Sequence, residues 1–187
     1  MGYCDESQKD PWNRRYHNEE YGFPITDDNR LFERFVLEIN QAGLSWSTIL
    51  RKQEAFREAY AGFDIRKVAN FDEGDRARLL SDAGIIRNRL KVDAAITNAQ
   101  RILDLTREYG SFKVWLDAHH PRSKAAWVQL FKTHFVFVGG EIVGEFLMST
   151  GYLPGAHEET CPVYAQIMAL NPPWARVNGS DTERTKI

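Results

Sequence analysis

Residues 26–46 read Thr26-Asp27-Asp28-Asn29-Arg30-Leu31-Phe32-Glu33-Arg34-Phe35-Val36-Leu37-Glu38-Ile39-Asn40-Gln41-Ala42-Gly43-Leu44-Ser45-Trp46. Leu31, Phe32, Phe35, Val36 and Ile39 recur at three- and four-residue spacing, the period of a helix with one face in a core. Thr26, Asp27 and Asp28 offer oxygens to its first free N–H groups, and Gly43 marks its end. Ser45 then caps a second helix that turns Trp46, Ile49, Leu50 and Phe56 inward. The stretch predicts helix, corner, helix, with Gln41, Leu44 and Trp46 gathered round one corner. At about 100° per residue, Glu38 falls under Leu31 and beside Phe35 and Ala42, at the margin of the apolar stripe. A carboxylate there needs a partner, either an amide in an ordinary helix corner or a ligand in a cleft.

The same pattern continues outward. Asp64 and Asp72 stand at the starts of two shorter helices. Between Arg89 and Tyr109, Val92, Ala95, Ile96, Ala99, Ile102 and Leu103 form a third stripe, which Gly110 terminates. Pro121 and Ser123 open a helix through Phe131. Phe135-Val136-Phe137-Val138 reads as a strand or a buried connector, and the Gly139-Gly140 pair after it as a turn. A helix from about Glu141 to Thr150, a loop through Gly155 and a helix from about Pro162 to Leu170 complete a helical domain over residues 1–170. Residues 171–187 are polar and proline-bearing, the composition of a flexible tail. With no repeat and no sustained heptad, the expected class is all-α.

The 187 residues are enough to bury a core, and 43% hydrophobic and 12% aromatic content is that of a globular chain. No apolar run approaches the roughly 18–20 residues of a membrane span, and no basic-then-apolar leader is visible at Met1. The expectation is a cytoplasmic protein and a monomer. Lys and Arg number 24 against 26 Asp and Glu, a formal charge of −2, so any contact with a polyanion is local. Arg87, Arg89 and Lys91 form one such basic cluster, readable as a DNA-backbone contact or as a solvated helix face.

Only two cysteines occur, Cys4 and Cys161. Cys4 pairs in sequence with His17, and His157 lies one helical turn before Cys161, close enough to chelate one ion. Two sulfurs and two imidazoles suit tetrahedral zinc, and four protein ligands leave no position for an activated water. Such a zinc is structural and joins the chain ends. Unrelated thiols and histidines are the alternative, and spacing alone does not choose between them.

Taken together, Tyr16-His17, the Glu38–Trp46 run, Asp82-Ala83-Gly84-Ile85-Ile86-Arg87, Phe135-Val136-Phe137-Val138-Gly139 and the four Cys and His residues resemble the 3-methyladenine DNA glycosylase I family. That family is a zinc-containing branch of the helix-hairpin-helix DNA glycosylases, and the likeness runs from about Cys4 to Cys161. It implies a two-lobed all-helical fold with a lesion pocket between the lobes. The activity it implies is removal of 3-methyladenine from double-stranded DNA by cleavage of the N-glycosidic bond. It further implies that Glu38 anchors the flipped base and that Tyr16, Trp46 and Tyr21 line its pocket. Gln41 and Leu44 fill the gap left in the duplex, and Gly139 and Gly140 bring a helix start to a phosphate. The physical logic agrees, since an N3-alkylated adenine is cationic and both aromatic faces and a desolvated carboxylate favour a cation.

This sequence departs from the family at several points. Glu6 and Tyr21 stand where tryptophan is usual. Gly140-Glu141 replaces an uncharged pair, and Gly144-Glu145 stands where a tyrosine and a small residue are common. The aspartate that most helix-hairpin-helix glycosylases carry downstream of the hairpin is missing, and apart from Lys91 no lysine suggests a Schiff-base nucleophile, so a monofunctional enzyme is expected. The alternative is a noncatalytic module that binds DNA lesions in the same cleft.

Overall fold

The computed structural model describes residues 2–176. Among these the chain is helical throughout, with no strand. Helices α1 (Tyr3–Glu6) and α2 (Pro11–Glu19) precede the central α3 (Asp28–Gln41), α4 (Trp46–Arg51) and α5 (Gln53–Ala59). Next come α6 (Ile65–Ala69), α7 (Glu73–Ser81), the long α8 (Arg89–Tyr109) and α9 (Phe112–His119). Then α10 (Lys124–His134), α11 (Gly140–Ser149), α12 (Pro162–Ala169) and a final turn, α13 (Pro173–Arg176), close the order. No helix among the described residues is long and apolar enough to cross a membrane.

The capping chemistry works as read. Asp27, Ser45, Asp64 and Asp72 each accept the backbone N–H three residues on. Asp28 caps a different helix: its carboxylate accepts from the N–H groups of Phe112 and Lys113, both at 2.9 Å, and so fixes α9 against α3. Besides α13, which falls in the segment expected as a tail, helices α1, α2 and α9 are additions to the sequence reading. The last two had signals, since Asp10 accepts from Trp12 N ahead of Pro11, and Ser111 Oγ accepts from Val114 N at 2.9 Å. Residues 135–138 form a connector rather than a strand, and α10 continues three residues past Phe131.

Leu31, Phe32, Phe35, Val36 and Ile39 are all fully buried, and α3 packs against α4, α8, α9 and α11. Phe35 is the hinge of this packing, with its ring 5.7 Å from Phe131, 5.2 Å from Phe135 and 5.2 Å from Phe146. These rings sit on α10, the connector and α11, so one side chain of α3 holds both helices and their turn. Buried Asn98 on α8 fixes the same turn, accepting from Val136 N at 2.9 Å and donating to Val136 O at 3.1 Å.

Two smaller clusters, from the α2 and α12 regions, lie outside this core. Tyr16, Tyr21 and Leu50 form one satellite cluster, and Cys161, Val163 and Ile167 another. Within the segment expected as a tail, Trp174 N donates to Gly151 O at 3.2 Å, while residues 177–187 lie outside the described part.

Candidate functional site

At the end of α3 the chain turns through Gly43 at φ +83°, a conformation that L side chains rarely adopt. The turn leaves Leu44 38% exposed, and Gln41 Nε2 donates to Leu44 O at 2.8 Å, which sets the corner. A second tie comes from Lys91. Its ammonium is buried and donates to the carbonyls of Asn40 at 2.8 Å and Ala42 at 2.7 Å, satisfying the open C-terminus of α3. This divides the basic cluster read from the sequence, because Arg87 and Arg89 are exposed while Lys91 is committed inside. Burial also pulls the Lys91 ammonium below the usual lysine range. Replacing Lys91 by Met strands both carbonyls and is expected to cost about 2–3 kcal/mol, read by urea unfolding. A change below about 0.5 kcal/mol would show that the corner stands without it.

Beside the corner opens a cavity of about 460 Å³. Its aromatic walls are Tyr3, Tyr16, Tyr21 and Trp46, with Tyr16 in edge contact with Trp46 at 5.0 Å and Tyr3 with Tyr21 at 5.1 Å. Glu38, Gln41, Glu141 and Glu145 supply its polar lining. Tyr16, Tyr21, Glu38, Gln41 and Trp46, singled out in the sequence, therefore meet at one place, and the first turn of α11, which follows Gly139, borders it. Leu44, exposed on the corner that Gln41 holds, is not among the lining residues.

Tyr3 is the wall that sequence reasoning missed. Its place depends on the two chain ends meeting, and no local period announces that. Glu6 does not line the cavity and instead makes an exposed ion pair with Lys9 at 2.6 Å. Glu141 is exposed too, with Lys124 Nζ 3.4 Å from its carboxylate to offset its charge at the start of α11.

Glu38 is 4% exposed, yet among the described residues no hydrogen bond or ion pair reaches its carboxylate. Arg34, one turn earlier, is occupied: it donates to Tyr16 Oη and pairs with Glu20 at 2.9 Å, its guanidinium 4.6 Å over the Tyr16 ring. Burial pushes the Glu38 carboxyl up to about 8; the Arg34 charge opposes that shift and Glu145 adds to it. A buried carboxylate with aromatic walls and no protein partner is a site built for a donor or a cation from outside.

Behind the aromatic wall the four Cys and His residues converge. Cys4 Sγ lies 3.8 Å from His157 Nδ1, and Cys161 Sγ lies 3.6 Å from the same nitrogen and 3.7 Å from His17 Nε2. All four ligand atoms fall within 4.8 Å of one another, so the cluster could hold a metal ion. The remaining ring nitrogens have partners, since His157 Nε2 donates to Tyr21 O and His17 Nδ1 to Asn18 Oδ1, each at 2.7 Å. Those bonds fix the tautomers that turn His157 Nδ1 and His17 Nε2 toward the sulfurs.

Comparison with known proteins converges on one family. Residues 6–124 match the family model described as methyladenine glycosylase. The chain is 38% identical over 183 residues to DNA-3-methyladenine glycosylase 1 of Escherichia coli (strain K12), covering 88% of this chain and 97% of that one. Its fold superposes with a TM-score of 0.79 on 3-methyladenine DNA glycosylase I from Staphylococcus aureus, at 34% identity over 87% of this chain and 96% of the other. A substituted 3-methyladenine DNA glycosylase I in complex with 3-methyladenine gives 0.78 at 31% identity, covering 87% and 97%. An all-helical chain that gathers this pocket and matches these proteins over nearly their whole length belongs to the methyladenine glycosylase family.

Proposed function

We propose that this protein hydrolyses the N-glycosidic bond of 3-methyladenine in double-stranded DNA, acting as a monomer. The observation that carries the reading is the buried Glu38 carboxylate with no partner of its own, facing an aromatic cavity. A flipped N3-methylated adenine brings both things the site lacks, an exocyclic amine to donate and a positive charge. That charge favours the ionised carboxylate, which in turn steadies the cationic base and the positive charge that develops on the sugar as the bond stretches. The base leaves with the electron pair of the C1′–N bond and so becomes neutral. A water oxygen then bonds to C1′ and sheds a proton, and no acid is needed on the leaving group.

Tyr16, Tyr21 and Trp46 enclose the base, while Leu44, held by Gln41, fills the space it vacates. Gly139 and Gly140 bring the N–H groups of α11 to a phosphate. A Cβ on either would meet nothing within 4 Å, so no contact within the chain calls for glycine there.

The metal we assign to Cys4, His17, His157 and Cys161 is one zinc ion. Tetrahedral bonds of about 2.3 Å to sulfur and about 2.0–2.1 Å to nitrogen place a neighbouring sulfur and nitrogen about 3.6 Å apart, close to the 3.6–3.8 Å of the three sulfur–nitrogen pairs. With four protein ligands its role is to hold the chain ends.

The test is to incubate the protein with methylated genomic DNA and identify released bases by mass spectrometry. Release of 3-methyladenine is expected. DNA binding without release of any base by a folded protein would overturn the reading and leave a lesion-binding module.

A further inference from the structure

The cavity carries more negative charge than a methylated adenine uses. Besides Glu38 it is lined by Glu145 from α11, and no lysine or arginine is among its lining residues. Glu145 is oriented rather than loose, because Tyr21 Oη donates to its Oε2 at 3.1 Å. Its other oxygen has no hydrogen-bond partner among the described residues, and each carboxylate oxygen retains acceptor capacity. Burial raises its carboxyl and Glu145 in turn raises Glu38, so the two groups act on one space.

An acceptor pair in such a cavity is matched by a base with two adjacent donors. Adenine offers a single amine on its pairing edge, whereas guanine offers N1–H and N2–H₂ side by side. We propose that Glu145 is a second base-recognition residue and that it widens the substrate class to cationic methylguanines, such as 7-methylguanine. The proposal rests on the glycosylase reading above. Glu145 takes the paired donors and balances the charge of the base, which leaves Glu38 protonated and able to donate to O6. With methylated adenine the roles differ, because the amine faces Glu38.

The experiment is a release assay on DNA treated with a methylating agent, corrected for spontaneous loss, on wild type, Glu145→Gln and Glu145→Ser. The wild type is expected to release methylguanine as well as methyladenine. Both variants lower methyladenine release by a few fold and the methylguanine-to-methyladenine ratio by a further ten- to hundredfold or so, the range of a hydrogen bond to a charged group. In parallel, free 7-methylguanine is titrated against tryptophan fluorescence, where Glu145→Gln is expected to weaken binding about tenfold or more. Methyladenine release without methylguanine release, or an unchanged ratio in the variants, overturns the proposal and leaves the glycosylase reading standing. No release of either base overturns both.

Discussion

Glu38→Gln is expected to slow base release about a hundredfold or more and, in the same molecule, to make the fold more stable at pH 8. The first effect follows from charge. Glutamine keeps the size and one acceptor oxygen but cannot oppose a cation, and removing one preorganised electrostatic partner of a transition state costs about 10²–10³ in rate. The second follows from linkage. With its carboxyl near 8 in the folded chain and near 4.5 when unfolded, Glu38 keeps its proton on folding across that interval. The folded state then binds more protons than the unfolded one, so wild-type stability is full below about pH 4.5 and declines as pH rises toward 8. The loss runs at up to about 1.4 kcal/mol per pH unit, a few kcal/mol in all. Glutamine removes this slope. Urea unfolding of both proteins at pH 5 and pH 8 measures it, and parallel slopes would mean that Glu38 is already ionised in the free fold. The same carboxyl gives the pH profile of activity: kcat/KM rises with pH, reaches half its plateau near 8 and levels above it as the free site ionises.

Removing the metal proposed at Cys4, His17, His157 and Cys161 is expected to abolish activity and lower fold stability together. Tyr3, Tyr16 and Tyr21 belong to a segment outside the main core, joined to α12 across Cys4, His17, His157 and Cys161. Structural zinc of this ligand class contributes on the order of 10 kcal/mol to the peptides it organises, more than the satellite clusters can replace. Chelation, or Cys161→Ser, should lower Tm by roughly 10 °C or more, and base release should vanish as three of the four aromatic walls come loose. Elemental analysis of the purified chain should give one zinc per molecule. Activity lost with an unchanged Tm would instead assign the metal a part in the chemistry.

What could be read from the chain was what is local. Helix α3, the Ser45 cap and the marginal position of Glu38 follow from spacing over about a turn or two, and they survive folding because the stripe that predicts them is the stripe that is buried. Tyr3, Lys91 and Glu145 were beyond that kind of reading. Tyr3 reaches the cavity only because the ends meet, and Lys91 leaves an apparently basic surface because two carbonyls at the end of α3 lacked donors. Glu6, one of the departures from the family noted in the sequence, is turned outward in space and pairs with Lys9. Helix α9 shows a smaller omission, since Ser111 and the Phe112, Trp115 and Leu116 spacing were readable but lay between two stronger signals.

Phe35 carries a consequence beyond packing. Its ring touches α10, the connector and α11, while Glu38 lies three residues along the same helix and Leu44 just past its end. On the proposed reading the phosphate grip, the Leu44 wedge and the Glu38 pocket are all anchored to this one helix, the wedge through the Gly43 turn that Gln41 ties down. On that reading a duplex seated on all three would do the bending itself, and the nucleotides to yield first would be those whose stacking and pairing are already damaged.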